Sequence, residues 1–257
     1  MVAEREIKGL LIDIDGVIYD DEEVIPDSIY AMRWLQQKRI PFRFATNATS
    51  RSRASLAGRL RDLGIEVADD QVINTPYVAA RELRERPWTR CMLLVKEDAR
   101  REFDGLTLVD RDPQVVVVGD LASGFDYATL NRAFQAVLGG AELLALQKDR
   151  FWRVRDELVL DAGPFVVALE YATGRNARLV GKPSRDFFRV ALEGMGIPPQ
   201  QVAMVGDDIE NDVKGAQEAG LLGILVQTGK YRPDLVERTG IQPDLVVKNL
   251  GDFVARF

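Results

Sequence analysis

Short apolar runs that end in polar or glycine-bearing turns, each followed by a stretch of helical spacing, recur along the chain and predict alternating strands and helices. The first run, Leu10-Leu11-Ile12, enters Asp13-Ile14-Asp15-Gly16 and reads as a buried parallel strand ending in two carboxylates and a turn glycine. Side chains two apart on a strand leave the same face. Asp13 and Asp15 are therefore expected to address one small space beyond the strand's carboxyl end, the edge where open α/β sheets bind ligands. Pro26-Asp27-Ser28 opens a helix with Ile29, Met32 and Leu35 on one face. A strand over residues 40–45 then ends in Thr46-Asn47-Ala48-Thr49-Ser50, ahead of a helix over 52–63 that Gly64 stops.

Thr75-Pro76 starts a further helix, and beyond it the rhythm changes. Strands over 91–95, 114–119 and 142–146, a charged helix from Asp98 and an amphipathic helix over 126–138 form a βαβαβ series with apolar segments for a small second core. A hairpin turning at Asp156-Glu157 joins 151–154 to 158–160, and a helix over 163–172 follows. Ser184 is placed to cap a helix over 185–192. Of the remaining strands, 201–205, 222–226 and 244–247, the first ends in Gly206-Asp207-Asp208, before a helix from Ile209 with Asp212 in its first turn. The fold class is α/β, a sheet core interrupted by an insertion.

Composition narrows the chemistry. The 257 residues allow one large α/β unit or a core plus an insertion, and 46% hydrophobic with 29% charged residues is a soluble, globular balance. No apolar run reaches the roughly 18 residues of a spanning helix, and residues 1–8 are too charged for the apolar core of a secretory signal, so the expectation is a cytoplasmic protein with no membrane partner. A net charge of -6 argues against nucleic acid as a partner. Cys91 is the one cysteine and there is no histidine, which removes disulfides, histidine triads and His/Cys zinc clusters together. No arginine follows Cys91 at the spacing of a cysteine-phosphatase loop, and Gly174 to Lys182 fails as a Walker loop, because the glycine spacing is too long and Pro183 stands where Ser or Thr is required. Any catalysis must rest mainly on carboxylates, lysine, hydroxyls, backbone amides and a hard metal.

Two neighbouring carboxylates repel, and burial makes the repulsion worse, so a cation, a shared proton or a phosphate-handling duty would justify Asp13 and Asp15. A solvated strand-to-loop junction with Asp15-Gly16 as its turn explains them equally well. The Thr46-Asn47 turn is open in the same way, between an anion site at a helix N-terminus and an ordinary helix cap. Parallel strands would, however, bring Asp207, Asp208 and Asp212 to the same sheet edge as Asp13 and Asp15. Separated carboxylates converging there form an oxygen-rich site suited to Mg²⁺, and with a Thr turn and Lys182 they make a phosphate site.

In order, Asp13-x-Asp15-Gly16, Thr46-Asn47, Lys182-Pro183 and Gly206-Asp207-Asp208 with Asp212 resemble the four motifs of the haloacid dehalogenase superfamily of phosphohydrolases, across nearly the whole chain. The insertion is similar to the α/β cap of the subgroup that contains the NagD-type nucleotide phosphatases. The resemblance implies a Rossmann-like parallel-sheet core, residues 1–76 and 178–257, with an inserted smaller α/β cap domain over 77–177. It implies Asp13 as the nucleophile that becomes an aspartyl phosphate, and Asp15 as general acid and base with its carbonyl on Mg²⁺. Thr46 and Asn47 are then expected to hold phosphoryl oxygens, Lys182 to offset charge on nucleophile and phosphate, and Asp207 to bind the metal. Asp208 and Asp212 fall in the shell that orients metal waters and Lys182.

One departure is Ala48, where NagD-like relatives often carry a second Asn. Gln147-Lys148-Asp149-Arg150 stands where the subgroup has its substrate-specificity loop, so Lys148 and Arg150 are either receivers of an anionic leaving group or a solvated basic turn. Caps of this subgroup often mediate dimers, which makes a homodimer through the cap a further expectation. The implied function is Mg²⁺-dependent hydrolysis of a small phosphorylated metabolite. Pyrophosphate or phosphoamidate hydrolysis, or non-catalytic binding of Mg²⁺ and phosphate, are the alternatives. Dehalogenases lack the second aspartate of the first motif, P-type ATPases carry threonine there, and receiver modules are far shorter and uncapped.

Overall fold

A computed structural model describes residues 6–86, 89–154 and 157–256. The turn residue Asp156, and the first five residues of the charged N-terminal stretch, lie outside the described residues. No helix among those described is long and apolar enough to cross a membrane. Contacts divide the chain into two compact units. The first holds the chain up to Thr46, Leu56–Ile73 and everything from Lys182 on, and the second holds Asn47–Ser55 and Asn74–Gly181.

The first unit is built on a six-stranded sheet in the order Leu245–Val247, Leu222–Val226, Val202–Gly206, Gly9–Ile12, Phe42–Thr46, Val72–Asn74. The pairings from the first strand of that order to the fifth are all parallel. Gly9–Ile12 lies centrally, Leu11 standing opposite Met204 on one side and Arg43 on the other, and all four of its residues are buried. This explains its unbroken apolar run: a parallel strand covered on both faces has no polar face to alternate with. The chain leaves this strand in one direction, to Phe42–Thr46 and Val72–Asn74, and resumes on its other side at Val202–Gly206. That reversal is a topological switch point, and it puts the residues that follow two fully buried strands, Asp13 and Asp207, side by side at the edge where open α/β sheets generally bind ligands.

The second unit has its own five-stranded parallel sheet, Arg178–Leu179, Glu142–Ala145, Val115–Val118, Arg90–Leu94, Thr107–Leu108. Helices Tyr127–Leu138 and Ala162–Thr173 cover it with a core that includes Val116, Val118, Val137, Leu143 and Val166. A hairpin pairs Phe151–Val154 with Glu157–Leu160.

Five short strands, Tyr19–Asp20, Glu23–Val24, Val72–Asn74, Thr107–Leu108 and Arg178–Leu179, are absent from the sequence expectation. Two or three residues are too short to show any period, and Asn74 is also spent as the N-cap of helix Thr75–Arg84, accepting from Tyr77 N at 3.0 Å. The helix expected from Asp98 is a four-residue turn, Glu97–Arg100, followed by a 3₁₀ turn. Ser184 does occupy the N-cap of Arg185–Leu192, but its side chain makes no capping hydrogen bond.

Leu11 is 0% exposed and Val246, on the edge strand, is 40% exposed. Leu11→Ala should therefore lower the unfolding free energy by about 2–5 kcal/mol, through lost burial and the cavity left behind. Val246→Ala should change it by about 0.5 kcal/mol or less, and urea titration of the two variants separates them.

Candidate active site

The site forms where the central strands stop. Asp13 N donates to Val205 O at 2.9 Å, extending the ladder one step beyond the strand, and the chain then turns at Gly16 with φ +77°. Asp13 and Asp15 are thus positioned by the loop after the strand and not by strand alternation. Gly16 is required on two counts. Its backbone is left-handed, and a Cβ there would stand 1.9 Å from Asp207 Oδ2. Gly206 is required by close approach, since a Cβ would stand 2.1 Å from Asp212 Oδ2. The glycines beside the aspartates are what let the carboxylates close together.

Lys182 is the hub. Its buried Nζ donates to Asp13 Oδ1 at 3.0 Å, Asp212 Oδ1 at 2.6 Å and Ala45 O at 2.8 Å, three acceptors for the three N–H groups of an ammonium. Asp13 Oδ1 also accepts from Ile14 N at 2.8 Å, and Asp212 Oδ2 from Asp208 N at 3.1 Å. Asp207 Oδ2 accepts from Lys230 N at 2.6 Å. Carboxylate oxygens of Asp13, Asp207 and Asp212 lie within 4.8 Å of one another, all buried. Three buried carboxylates thus face one buried ammonium, an excess of negative charge.

The proton affinities follow. Burial, together with the charge of Asp13 and Asp208 and against that of Lys182, pushes the Asp212 carboxyl up to about 7. Burial and the neighbouring Asp13 and Asp212 push Asp207 well above the usual carboxylate range. Burial raises Asp13, Lys182 pulling it down and Asp15 adding to the rise. For Lys182 burial acts downward, but Asp13 and Asp212 outweigh it and the net shift is upward, so the ammonium stays charged. Asp15 keeps an outer face open to water yet is crowded enough that burial raises it, opposed by the charges of Lys230 and Arg59. Oxygen-only donors with surplus negative charge fit a hard divalent cation.

Asp13, Asp207, Asp212 and Lys182 are therefore brought together, and the buried Thr46 ends the neighbouring strand directly after Ala45. Asp208 stands outside that group of three carboxylates but adjoins it, its N–H donating to Asp212 Oδ2. Its carboxylate accepts from Glu210 N and Asn211 N, both at 3.0 Å, and caps a π-helical turn, Ile209–Lys214, where the sequence suggested an α-helix. Asn47, Lys148 and Arg150 belong to the second unit. Lys148 Nζ is paired with Glu170 at 2.8 Å, and the exposed Arg150 has its guanidinium 5.7 Å from the Phe151 ring. Sequence reasoning missed Lys230, whose backbone holds Asp207 and whose Nζ lies 3.9 Å from Asp208. The signal was present: Leu222–Val226 is another apolar strand ending in a polar, glycine-bearing turn, Gln227-Thr228-Gly229, and Thr228 Oγ1 donates to Gly16 O at 2.5 Å. Arg59, stacked 3.9 Å over the Tyr19 ring, had no such signal.

Comparison with known proteins places this geometry. The family model for haloacid dehalogenase-like hydrolases matches residues 10–108, and a related HAD-hydrolase-like model matches 179–253. The chain is 41% identical over 249 residues to haloacid dehalogenase-like hydrolase domain-containing protein 2 of Homo sapiens, covering 97% of this chain and 95% of that protein. It is 40% identical over 254 residues to phospholysine phosphohistidine inorganic pyrophosphate phosphatase of Bos taurus, covering 96% and 93%. Among solved structures, the p-nitrophenyl phosphatase from Archaeoglobus fulgidus superimposes with a TM-score of 0.92 at 32% identity, over 98% of this chain and 100% of that one.

The raised carboxyls set a pH dependence. Their protons are held by the folded chain but released by the unfolded chain near its ordinary carboxylate value, so between the two the folded state binds more protons and stability falls as pH rises. The melting temperature of metal-free protein should decline from about pH 5 to about pH 8, and Asp212→Asn should flatten the decline. A divalent cation should restore more stability at about pH 8 than at about pH 5, because the ligands must first lose their protons. Thermal unfolding across pH, with and without the cation, reads both effects, and a steady rise in metal-free stability over that range would contradict them.

Proposed function

Since the chain belongs to the haloacid dehalogenase-like hydrolases and is a phosphatase among them, we propose that it hydrolyses a small phosphorylated metabolite through an aspartyl phosphate on Asp13, with Mg²⁺ as its metal. The observation that carries this reading is the buried Lys182 ammonium shared between Asp13 and Asp212, with Asp207 alongside. Lys182 favours the ionised form of Asp13 against burial, as a nucleophilic carboxylate requires. The contacts from Lys182 and Ile14 N both fall on Oδ1 of Asp13, so Oδ2 is the oxygen assigned to the attack.

Asp13 Oδ2 would form the bond to phosphorus while the bond from phosphorus to the leaving oxygen breaks, and Asp15 would give that oxygen its proton. In the second half Asp15 would take a proton from water as the water oxygen bonds to phosphorus and the bond to Asp13 breaks. The raised proton affinity of Asp15 suits an acid that must arrive protonated. Thr46 and Asn47 are assigned to phosphoryl oxygens. Asp13, Asp207 and the Asp15 carbonyl would hold Mg²⁺, which when bound neutralises charge on the phosphoryl oxygens. Asp212 serves to hold Lys182. A second reading, hydrolysis of pyrophosphate or a phosphoamidate, is supported by the name of the 40% identical relative, and a phosphate-release screen over esters, pyrophosphate and phosphoamidates decides between them.

Asp13→Asn should abolish turnover of p-nitrophenyl phosphate with Mg²⁺ while leaving the melting temperature the same or higher, since it removes one charge from a crowded cluster. Retained turnover would sink the nucleophile assignment. Asp15→Asn should slow alkyl phosphate hydrolysis by about 10²- to 10⁴-fold. On p-nitrophenyl phosphate, whose leaving group needs little protonation, the loss should be smaller and phosphoenzyme should accumulate. Equal losses on both substrates with nothing trapped would move the acid and base elsewhere.

A further inference from the structure

The segment Asn47–Ser55, which begins with one of the proposed phosphate-holding residues, is held by side chains from far along the sequence. Ser52 N donates to Asp98 Oδ2 at 3.0 Å, while Ser52 Oγ at 3.1 Å and Ser55 Oγ at 2.9 Å both donate to Asp98 Oδ1. Glu102 accepts from Arg53 N at 2.6 Å and Arg53 Nε at 3.2 Å. Asn74 Nδ2 donates to Arg51 O at 2.8 Å, and Thr49 Oγ1 accepts from Asp120 N at 2.9 Å. All of these partners lie within the second unit.

Two features show that this is more than helix capping. Helix Arg53–Asp62 already has a local cap, because Ser52 Oγ accepts from Ser55 N at 3.3 Å. Two carboxylates brought from Asp98 and Glu102 exceed what a helix start requires; their effect is to fix where the start is. In addition, the second sheet has its own topological switch point, between Arg90–Leu94 and Val115–Val118, and the edge beyond their carboxyl ends is where such a sheet would receive a ligand. Thr49 occupies that edge: it is buried, it binds Asp120 N, and a Cβ on Gly119 would stand 3.1 Å from the Thr49 Cβ. The crevice that would take a small molecule grips the chain instead.

We propose that Asp98 is a positioning residue for phosphoryl binding: by holding Ser52 and Ser55 it fixes the segment that leads out of Thr46-Asn47, and so the placement of the groups that hold the phosphoryl oxygens. The proposal rests on the assignment of Thr46 and Asn47 to the phosphate. For Asp98, burial acts upward but the bonds from Ser52 N, Ser55 and Ser52 outweigh it, so the carboxylate lies below the usual range and stays ionised at neutral pH.

The probe is inorganic phosphate, measured as a competitive inhibitor of p-nitrophenyl phosphate hydrolysis by the full chain. Asp98→Ala should raise the inhibition constant of phosphate and the KM together, by about tenfold or more, with a smaller change in kcat, because binding geometry is lost and the reacting carboxylates are untouched. Asp98→Asn, which keeps acceptors but loses the charge, should fall between the two. Val137→Ala, in the core of the same unit, is the control for general destabilisation and should leave the phosphate constant unchanged. If Val137→Ala raises it as much as Asp98→Ala, or if Asp98→Ala lowers the melting temperature and leaves it alone, the proposal is overturned. Should Asp98→Ala not fold, Ser55→Ala removes one of the three bonds and must raise the constant by a smaller factor, no change counting against the proposal. Thr46→Ala tests the premise separately. No effect there defeats the phosphate assignment itself, whereas an effect there with none at Asp98 defeats only the present inference.

Discussion

Everything at the catalytic edge follows from burying more negative charge than positive around Lys182. Three carboxylates lie within 4.8 Å of one another, and a single buried ammonium bridges two of them, Asp13 and Asp212. Removing such charges from water is costly, and the Coulomb gain offsets the cost only where hydrogen bonds complete the geometry. Here they do so on the lysine side, with Asp13, Asp212 and Ala45 O filling its three donors. The shortfall is on the carboxylate side and appears as raised proton affinity at Asp207 and Asp212. The fold tolerates the imbalance because Asp13 and Asp207 directly follow buried central strands, where neighbouring pairs of the sheet hold the backbone, and Asp212 is held on the π-helical turn after Asp208.

That dependence explains which parts of the site were legible in the sequence. Asp13 and Asp207 each follow a short apolar run bounded by a glycine-bearing turn, which reads as a buried strand, so their shared edge could be expected once the strands were taken as parallel. Lys182 could not be read that way. It stands in a turn between Leu179 and Arg185, without a period to place it, and only the ordered motifs identified it. Asp208 and Asp212 looked interchangeable as acidic residues near a helix start, and the π-helical turn separates them: Asp208 caps it while Asp212 reaches Lys182. A wider turn leaves no signature in composition, because it depends on which backbone groups find partners. Val72–Asn74 and Thr107–Leu108 were missed for the simpler reason that two or three residues carry no pattern.

The segment after Thr46 shows a different limit. Its run of Thr, Asn and Ser reads as a helix cap, and Ser52 is a cap, so the local reading is correct as far as it goes. What it omits comes from Asp98, Glu102 and Asp120, residues that a linear reading sees as a charged helix and strand-end polar groups. Local sequence specifies the conformation of the segment, whereas its position is specified by partners at a separation of 43 to 71 residues. Conformation is the part that propensity can predict; position requires the tertiary structure.

The excess of charge is also why the cluster is not better balanced. A second lysine among Asp13, Asp207 and Asp212 would lower their proton affinities and stabilise the metal-free fold, since each raised carboxyl weakens folding as pH climbs past its unfolded value. It would also occupy the oxygens offered to a cation and draw electron density from Asp13, the carboxylate proposed to attack. The site therefore keeps a deficit of positive charge that a bound divalent ion can fill and a side chain cannot, because an ion accepts several oxygens at once and leaves room for a substrate oxygen. In this fold the unfavourable electrostatics of the cluster and its fitness for a divalent cation are one property, set by a single lysine between Asp13 and Asp212.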